Sequence, residues 1–470
     1  MRFLTTKKIF SVLLLVCCLL SFVSCTFSFS NQSYVSFSEL TDSAPLLPDN
    51  AALPKNDDCE YVSDYLAFWG MPSYRPSKVI AIEKYYERYF IGTLPDVYAI
   101  AAKVYTEYRT LYASNESFDS KNPDNVTGAI ISAYQRAAGD RYAVYMTPAA
   151  FNAFSTNYEA DYVGIGVYIE YNAKEGHPVV LTSFEGSPAA EAGIRTGDII
   201  KAINGIGITT ENRDEALAAL KGKVGESVTV TVERAGEAQT HTLIFRQIDA
   251  MSVSWRLLEQ DSSIAYVKIE EFNKKTPAQF KTAIDRALQA GATSFIFDVR
   301  DNPGGESESV KQVLDYLVED GQAIFHVRYK EGSELEAQNT SYYANDSHSL
   351  SLTMTVLCNR NTASAGELFA VALQDYGMAT VVGETTYGKG TIQNIILLAD
   401  GSAFTISTGR FDSPLGNNGE GVGVIPNIEV TLPSEVAEVN AFLRPDRDDT
   451  QLQAAVDAIY HFDASLPPLV

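Results

Sequence analysis

Cysteine and histidine are scarce: the 470 residues hold five of each. Cys17 and Cys18 lie in an apolar run and Cys25 closes it, so only Cys59 and Cys358 remain for the rest of the chain. Two thiols make no disulfide framework, although a single Cys59–Cys358 bridge is left open; the fold must rest on its core. His177, His241, His326, His348 and His461 are scattered. None has a metal-ligand spacing or a Gly-x-Ser-x-Gly setting, which leaves a zinc site or a Ser–His triad without support. Positive charge is short as well, with 36 Lys and Arg against 59 Asp and Glu, a net −23. Such a surface repels nucleic-acid phosphates, so no nucleic-acid partner is expected. No repeat of fixed period is visible. What is present is a globular composition, 46% hydrophobic and 20% charged, with length for roughly two to four domains.

Residues 1–25 stand apart. Arg2, Lys7 and Lys8 precede an uncharged apolar run, Ile9 to Ser24. As a helix the run spans ~24 Å, short of a ~30 Å bilayer core, so it reads as a secretory signal peptide, with an uncleaved anchor as the alternative. Phe22-Val23-Ser24-Cys25 looks like a bacterial lipoprotein box, although Phe22 departs from the usual Leu. If it is processed, Cys25 becomes a lipidated N-terminus that holds the protein on a membrane. The expected location is extracytoplasmic, on the outer face of the cytoplasmic membrane or in the periplasm.

Residues 26–77, rich in Ser, Asp, Asn and Pro, read as a flexible tether with one short ordered piece between Tyr61 and Met71. Residues 78–158 carry helical periodicity, for example Val97, Ile100, Ala101, Val104 and Tyr105, and Gly139 is a plausible C-cap. Residues 159–248 alternate short strands with turns and one helix. Residues 249–436 alternate strands and helices, which indicates an α/β layer with helices packed on a sheet. The tail, 437–470, has helical spacing in Leu452, Ala455, Val456 and Ile459. The fold class is thus multidomain α/β, with an N-terminal helical segment, a β-rich domain and an α/β core.

Three segments carry chemistry. Asn361-Thr362-Ala363-Ser364-Ala365-Gly366-Glu367 follows a strand and opens a helix. Ser364 there is either an ordinary N-cap or an exposed nucleophile with backbone N–H groups beside it. Tyr387-Gly388-Lys389-Gly390-Thr391-Ile392-Gln393 precedes a strand of alternating pattern. Lys389 and Gln393, four apart, face the same side of an extended chain; the alternative is a solvated turn lysine. Gly383 to Lys389 is nearly a P-loop, but Gly390 stands where Ser or Thr should bind Mg²⁺ and a strand follows where a helix should begin. Arg300-Asp301-Asn302-Pro303-Gly304-Gly305 follows the apolar strand Phe295–Val299. Its paired glycines read either as a plain strand-to-helix turn or as backbone donors for an oxyanion.

Taken together these segments resemble the C-terminal processing peptidases, the tail-specific serine proteases with an embedded PDZ domain. Leu373-Gln374-Asp375-Tyr376-Gly377 and Val424-Ile425-Pro426 fit the same family, and the similarity runs from about residue 80 to the C-terminus. Val163-Gly164-Ile165-Gly166-Val167 looks like the family's carboxylate-binding loop, and Ser187-Pro188-Ala189, Gly197-Asp198 and Asn204-Gly205 continue the PDZ likeness. Gly139-Asp140-Arg141-Tyr142-Ala143 lacks the family's usual Pro and Ser, and is expected to serve packing rather than chemistry.

The resemblance implies a serine endopeptidase that cuts near the C-termini of extracytoplasmic proteins through an acyl-enzyme. Ser364 is then the nucleophile, Lys389 its base, buried away from acids, and Gln393 the group that orients the amine. Gly304 or Gly305, with Ala365, supply the oxyanion donors; Val163, Gly164, Ile165 and Gly166 hold a substrate's terminal carboxylate. No metal or organic cofactor is implied. The partners are proteins or peptides with free C-termini, and an oligomer is allowed. The rival from another class is an inactive peptidase fold that presents its PDZ domain as a scaffold.

Overall fold

Phe295-Ile296-Phe297 is apolar at three successive positions, a pattern that suits a parallel strand covered on both faces. In the computed structural model this segment is the strand Ser294–Asp298, inside a six-stranded sheet. The structure describes residues 53–461 except 72, 113–114, 116, 159–160, 173–175, 250, 346–351, 438 and 441. Cys25, the leader and the start of the tether lie outside the described residues. The described cysteines, Cys59 and Cys358, are free thiols. The chain forms two compact units: one takes residues up to 156 with 323–343 and 389–421; the other takes 157–322, 344–388 and 422–470.

In the second unit the sheet runs Val253–Leu257, Ile264–Ile269, Ser294–Asp298, Thr353–Cys358, Ala379–Gly383 and Ile428–Glu429 in spatial order. The first pair is antiparallel and the rest are parallel. Alternate side chains divide between the faces. Phe297 meets Phe280 of the helix Thr276–Gln289 and Phe369 of the helix Ala365–Asp375, at 5.5 and 5.6 Å between ring centroids. Ile264, Ile296, Leu357 and Val382 pack against Leu452, Ala455, Val456 and Ile459 of the helix Thr450–Tyr460. The expected tail helix is therefore part of this core.

The same unit holds the β-rich domain, a sheet in the order Val167–Asn172, His177–Ser183, Ile199–Ile203, Ser227–Arg234 and Glu237–Ile244. Val228, Val230 and Val232 alternate inward and are fully buried or nearly so. Val167–Asn172 stands at one end of that order.

The first unit takes in two segments, 323–343 and 389–421, that lie in sequence between parts of the second. The strands Ala323–Tyr329, Thr340–Tyr343, Thr391–Leu397 and Ala403–Asp412 belong to the first unit, with Tyr145–Met146. Phe404 and Ile406 sit in the core of the helices Pro76–Tyr89, Val97–Leu111 and Pro123–Ala137. Burying these two side chains among Tyr86, Ile130 and Tyr134 gains more than a sheet edge in water would. Gly139 follows the last of these helices at φ +84°, as its capping role requires. The ordered piece expected between Tyr61 and Met71 is the helix Val62–Phe68, and Val62, Tyr65 and Leu66 on its inner stripe are buried, so the chain is anchored from residue 62.

Candidate active site

In the second unit the strand Thr353–Cys358 turns sharply into the helix Ala365–Asp375. Thr362 shapes the turn: its N–H donates to Asn359 O at 2.9 Å and its hydroxyl to Val299 O at 2.7 Å. Ser364 occupies the N-cap position with φ 55° and ψ −117°, a region that a residue with a Cβ rarely enters. Such strain costs about 1–3 kcal/mol and persists only where the surroundings over-determine it. Here they do. Ser364 N–H donates to Glu367 Oε2 at 2.7 Å, while Glu367 Oε1 accepts from Thr386 Oγ1 at 2.6 Å and from Gly388 N–H at 2.7 Å. One buried carboxylate thus ties the serine turn to the residue before Lys389. Ser364 is only 6% exposed, not the open hydroxyl expected from sequence, because the glycine loop lies against it.

Gly304 has φ +104°, and a Cβ there would stand 2.7 Å from Ser364 Cβ and 2.9 Å from Ala365 N. Only glycine fits. Its N–H is taken up within the loop, donating to Asn302 Oδ1 at 2.8 Å. Gly305 follows it, and Ala365 opens the helix, where backbone N–H groups meet no intrahelical carbonyl. Arg300, just before the loop, is buried with Asp298, Asp449 and Gln451 around it.

Lys389 and Gln393 fall in the first unit, and both are buried. Lys389 Nζ donates to Gln393 Oε1 at 3.1 Å, and Gln393 Nε2 donates to Tyr142 O at 2.5 Å. The ammonium also lies 5.0 Å from the centroid of the Tyr142 ring. Tyr142 OH donates to Glu420 Oε1 at 3.0 Å, and Glu420 Oε2 accepts the Gly390 N–H at 2.8 Å. The 139–143 segment, expected only to pack, therefore frames the lysine. No local signal marks Tyr142 for this, since the contact joins residues 251 apart.

The expectation of a lysine far from acids is likewise corrected. Burial pushes the Asp140 carboxyl up, while the Ser407 hydroxyl and N–H, the Tyr86 hydroxyl and the charge of Lys389 hold it back. The geometry agrees: Ser407, which donates to Asp140, pairs in register with Gln393, the partner of Lys389.

Val163 and Gly164 are strand residues paired with Gln247 and Arg246 rather than members of an open loop. Ile165 O accepts Ala189 N–H at 3.0 Å, and Gly166 O accepts Phe184 N–H at 2.9 Å and Ser187 Oγ at 3.1 Å. Within 163–166, Ile165 and Gly166 form the turn that feeds the edge strand Val167–Asn172. Among the described residues, no group of three or more His, Cys, Asp and Glu side chains gathers as a metal site. None of their helices is long and apolar enough to cross a membrane.

With this geometry stand the similarities to known proteins. Residues 263–430 match the model of peptidase family S41, and residues 179–234 match a PDZ domain. The "Probable CtpA-like serine protease" of Staphylococcus aureus strain MRSA252 is 29% identical over 333 residues, 70% of this chain and 65% of that protein. The carboxy-terminal processing protease CtpA of Bacillus subtilis strain 168 is 29% identical over 331 residues, covering 70% of this chain and 68% of that one. The chain thus spans about two thirds of the length of these relatives. Among solved structures, the photosystem II D1 C-terminal processing protease overlaps 78% of this chain and 97% of its own, at 23% identity and a TM-score of 0.41. These matches make the chain a relative of the C-terminal processing proteases, with a peptidase family S41 segment over residues 263–430 and a PDZ segment over residues 179–234.

Proposed function

We propose that the chain is a serine endopeptidase that cleaves near the C-terminal ends of extracytoplasmic proteins. The observation that carries the reading is the Ser364 turn: a serine strained at a helix N-terminus, with Gly304 pressed against its Cβ. A backbone held in so unfavourable a state aims one side chain and serves no packing need. In this reading Ser364 Oγ attacks the scissile carbonyl and Lys389, as the neutral amine, takes its proton. Gln393 orients that amine without adding charge. Gly305 and Ala365 N–H groups stabilise the oxyanion, each worth roughly 3–4 kcal/mol in the transition state. An acyl-enzyme on Ser364 forms as the amine leaves with a proton from Lys389, and water releases it. The substrate's C-terminal residues add as a strand beside Val167–Asn172, with the terminal carboxylate at the Ile165–Gly166 turn.

The test compares peptides with free and amidated C-termini on the wild-type chain, Ser364→Ala and Lys389→Arg. Both variants should lose activity by at least about 10³-fold while melting like the wild type, since arginine cannot act as a neutral base. Amidation should weaken turnover of the wild type by roughly tenfold or more, the scale of one charge-assisted hydrogen bond. An active Ser364→Ala chain would sink the reading.

We further propose that Cys25 is the lipidated N-terminus of the exported protein, on the strength of the Ser24-Cys25 box and the apolar run before it. Intact mass of the membrane fraction should show a diacylated or triacylated cysteine; an unmodified start after residue 25 would leave secretion alone.

A further inference from the structure

The loop that presses on Ser364 is held by the far end of the chain. Arg300 is 3% exposed and lies one residue before that loop. Its Nη1 donates to Asp449 Oδ2 at 2.8 Å and Oδ1 at 3.0 Å, and to Gln451 Oε1 at 3.0 Å. Its Nε and Nη2 donate to Asp298, its backbone N–H donates to Asp298 Oδ1 at 2.8 Å, and its carbonyl accepts from Lys268 Nζ. Backbone and side chain are therefore pinned from three directions. Asp298 and Lys268 belong to the sheet itself. Asp449 and Gln451 come from the start of the helix Thr450–Tyr460, 149 and 151 residues away in sequence.

Asp449 is well placed for this. It is the N-cap of that helix, accepting Leu452 N–H at 2.9 Å, and it also accepts from Arg444 Nη1 at 3.1 Å. Gln451 is fixed in turn by donating to Val430 O at 2.7 Å. From Arg300 the restraint passes along a short, tightly bonded path. Asp301, at φ +61°, accepts from the side chains of Asn359 and Asn361 at 2.9 and 2.8 Å. Asn302 donates to Ile269 O and accepts the Gly304 N–H. Gly304 then meets Ser364 and Ala365. A shift at Arg300 reaches the oxyanion side of the site with little slack to absorb it.

We propose that Asp449, with Gln451, is a positioning residue for the peptidase reaction: through Arg300 the C-terminal helix sets the placement of the 301–305 loop, and so of the donors that meet the oxyanion. The inference rests on the reading of Ser364 as nucleophile. It differs from a plain stability role because it concerns the transition state more than the ground state.

The experiment uses the full chain and three variants. Asp449→Asn keeps the cap acceptor and the shape but removes the charge that faces Arg300 and Arg444. Gln451→Met removes one Arg300 contact and the bond to Val430 O, but no charge. Asp449→Asn/Gln451→Glu returns a carboxylate to Arg300 from the neighbouring position. Each is assayed for kcat and KM with one peptide, for melting, and for affinity toward a peptide boronate, which forms a tetrahedral adduct on the serine. Removing a whole oxyanion donor costs ~10²–10³-fold, so a displaced one in Asp449→Asn should lower kcat by roughly 10-fold to 30-fold. KM should stay within about twofold, and boronate affinity should fall in step with kcat. Gln451→Met should move both in the same direction by roughly threefold, and the double variant should recover most of the loss. If Asp449→Asn does not fold, Gln451→Met decides. Folded variants with unchanged kcat and boronate affinity would overturn the inference, as would a loss that appears only in melting. A wild-type chain that takes no boronate would instead overturn the nucleophile reading, and this inference with it.

Discussion

Two buried carboxylates, one in each unit, behave in opposite ways. Asp298 ends a strand of the second unit and is fully buried; Glu83 lies in the helix Pro76–Tyr89 of the first unit and is 2% exposed. Burial pushes both carboxyls up. At Asp298 the charges of Arg300 and Lys268, with hydrogen bonds from Arg300 and Tyr266, more than offset it and hold the group well below the usual carboxylate range. At Glu83 little opposes burial but the Val62 N–H, while Glu87 and Asp64 add their own repulsion, and the carboxyl rises to about 7. Burial alone therefore does not decide a charge state; the partners do. The difference also follows position. Asp298 supports the residue that leads into the glycine loop, where a proton gained or lost would move the site. Glu83 stands among helices, where its titration changes stability instead.

The sharpest way to break this comparison is Asp298→Asn. If the cations hold Asp298 ionised, its loss leaves Arg300 and Lys268 buried with too little negative charge around them. Breaking such a buried network typically costs about 3–5 kcal/mol. Urea unfolding at neutral pH should show a loss of that order. The wild-type contribution of this group should be present above the ordinary carboxylate range and disappear only in stronger acid, as pH falls through its depressed folded value. A cost below about 1 kcal/mol would mean that the charges are not what holds the strand end.

Much of the second unit was legible because its signals are local. Phe295-Ile296-Phe297 and Thr353–Cys358 are apolar runs of strand length, and Thr276–Gln289 and Ala365–Asp375 follow after turn residues. The serine turn could be read from strand, turn and helix in succession, although its φ could not. The strands Ala323–Tyr329 and Ala403–Asp412 were missed, and with them the way residues 389–421 join the N-terminal helices. These elements are defined by pairing across large sequence separations, as when Tyr145 meets Phe404, and no window of neighbouring residues carries that information. The same holds at the site. Gly304 and Gly305 look equivalent in sequence, yet the Asn302 side chain occupies the N–H of one of them. The framing of Lys389 by Tyr142 and Glu420 is equally nonlocal, and so is the reach of Asp449 to Arg300.

The smaller effect belongs to Glu83, and its sign is the opposite of the usual acid-denaturation rule. A carboxyl whose folded value, about 7, lies above its unfolded value, about 4.5, binds more protons folded than unfolded between those limits. Its favourable contribution is full below pH 4.5, where the group is neutral in both states. It declines as pH rises toward 7, because the folded chain must then bury a charge. Glu83→Gln keeps the size and an acceptor for the Val62 N–H, which donates to the two carboxylate oxygens at 3.1 and 3.2 Å, and removes the titration. The variant should match the wild type near pH 4 and exceed it near pH 8 by about 3 kcal/mol, the order of free energy that corresponds to a rise from about 4.5 to about 7. Denaturation midpoints at the two pH values check this directly. A variant that is weaker at pH 8, or equally displaced at both, would show that the Glu83 carboxylate is held ionised after all, and the contrast with Asp298 would fall away.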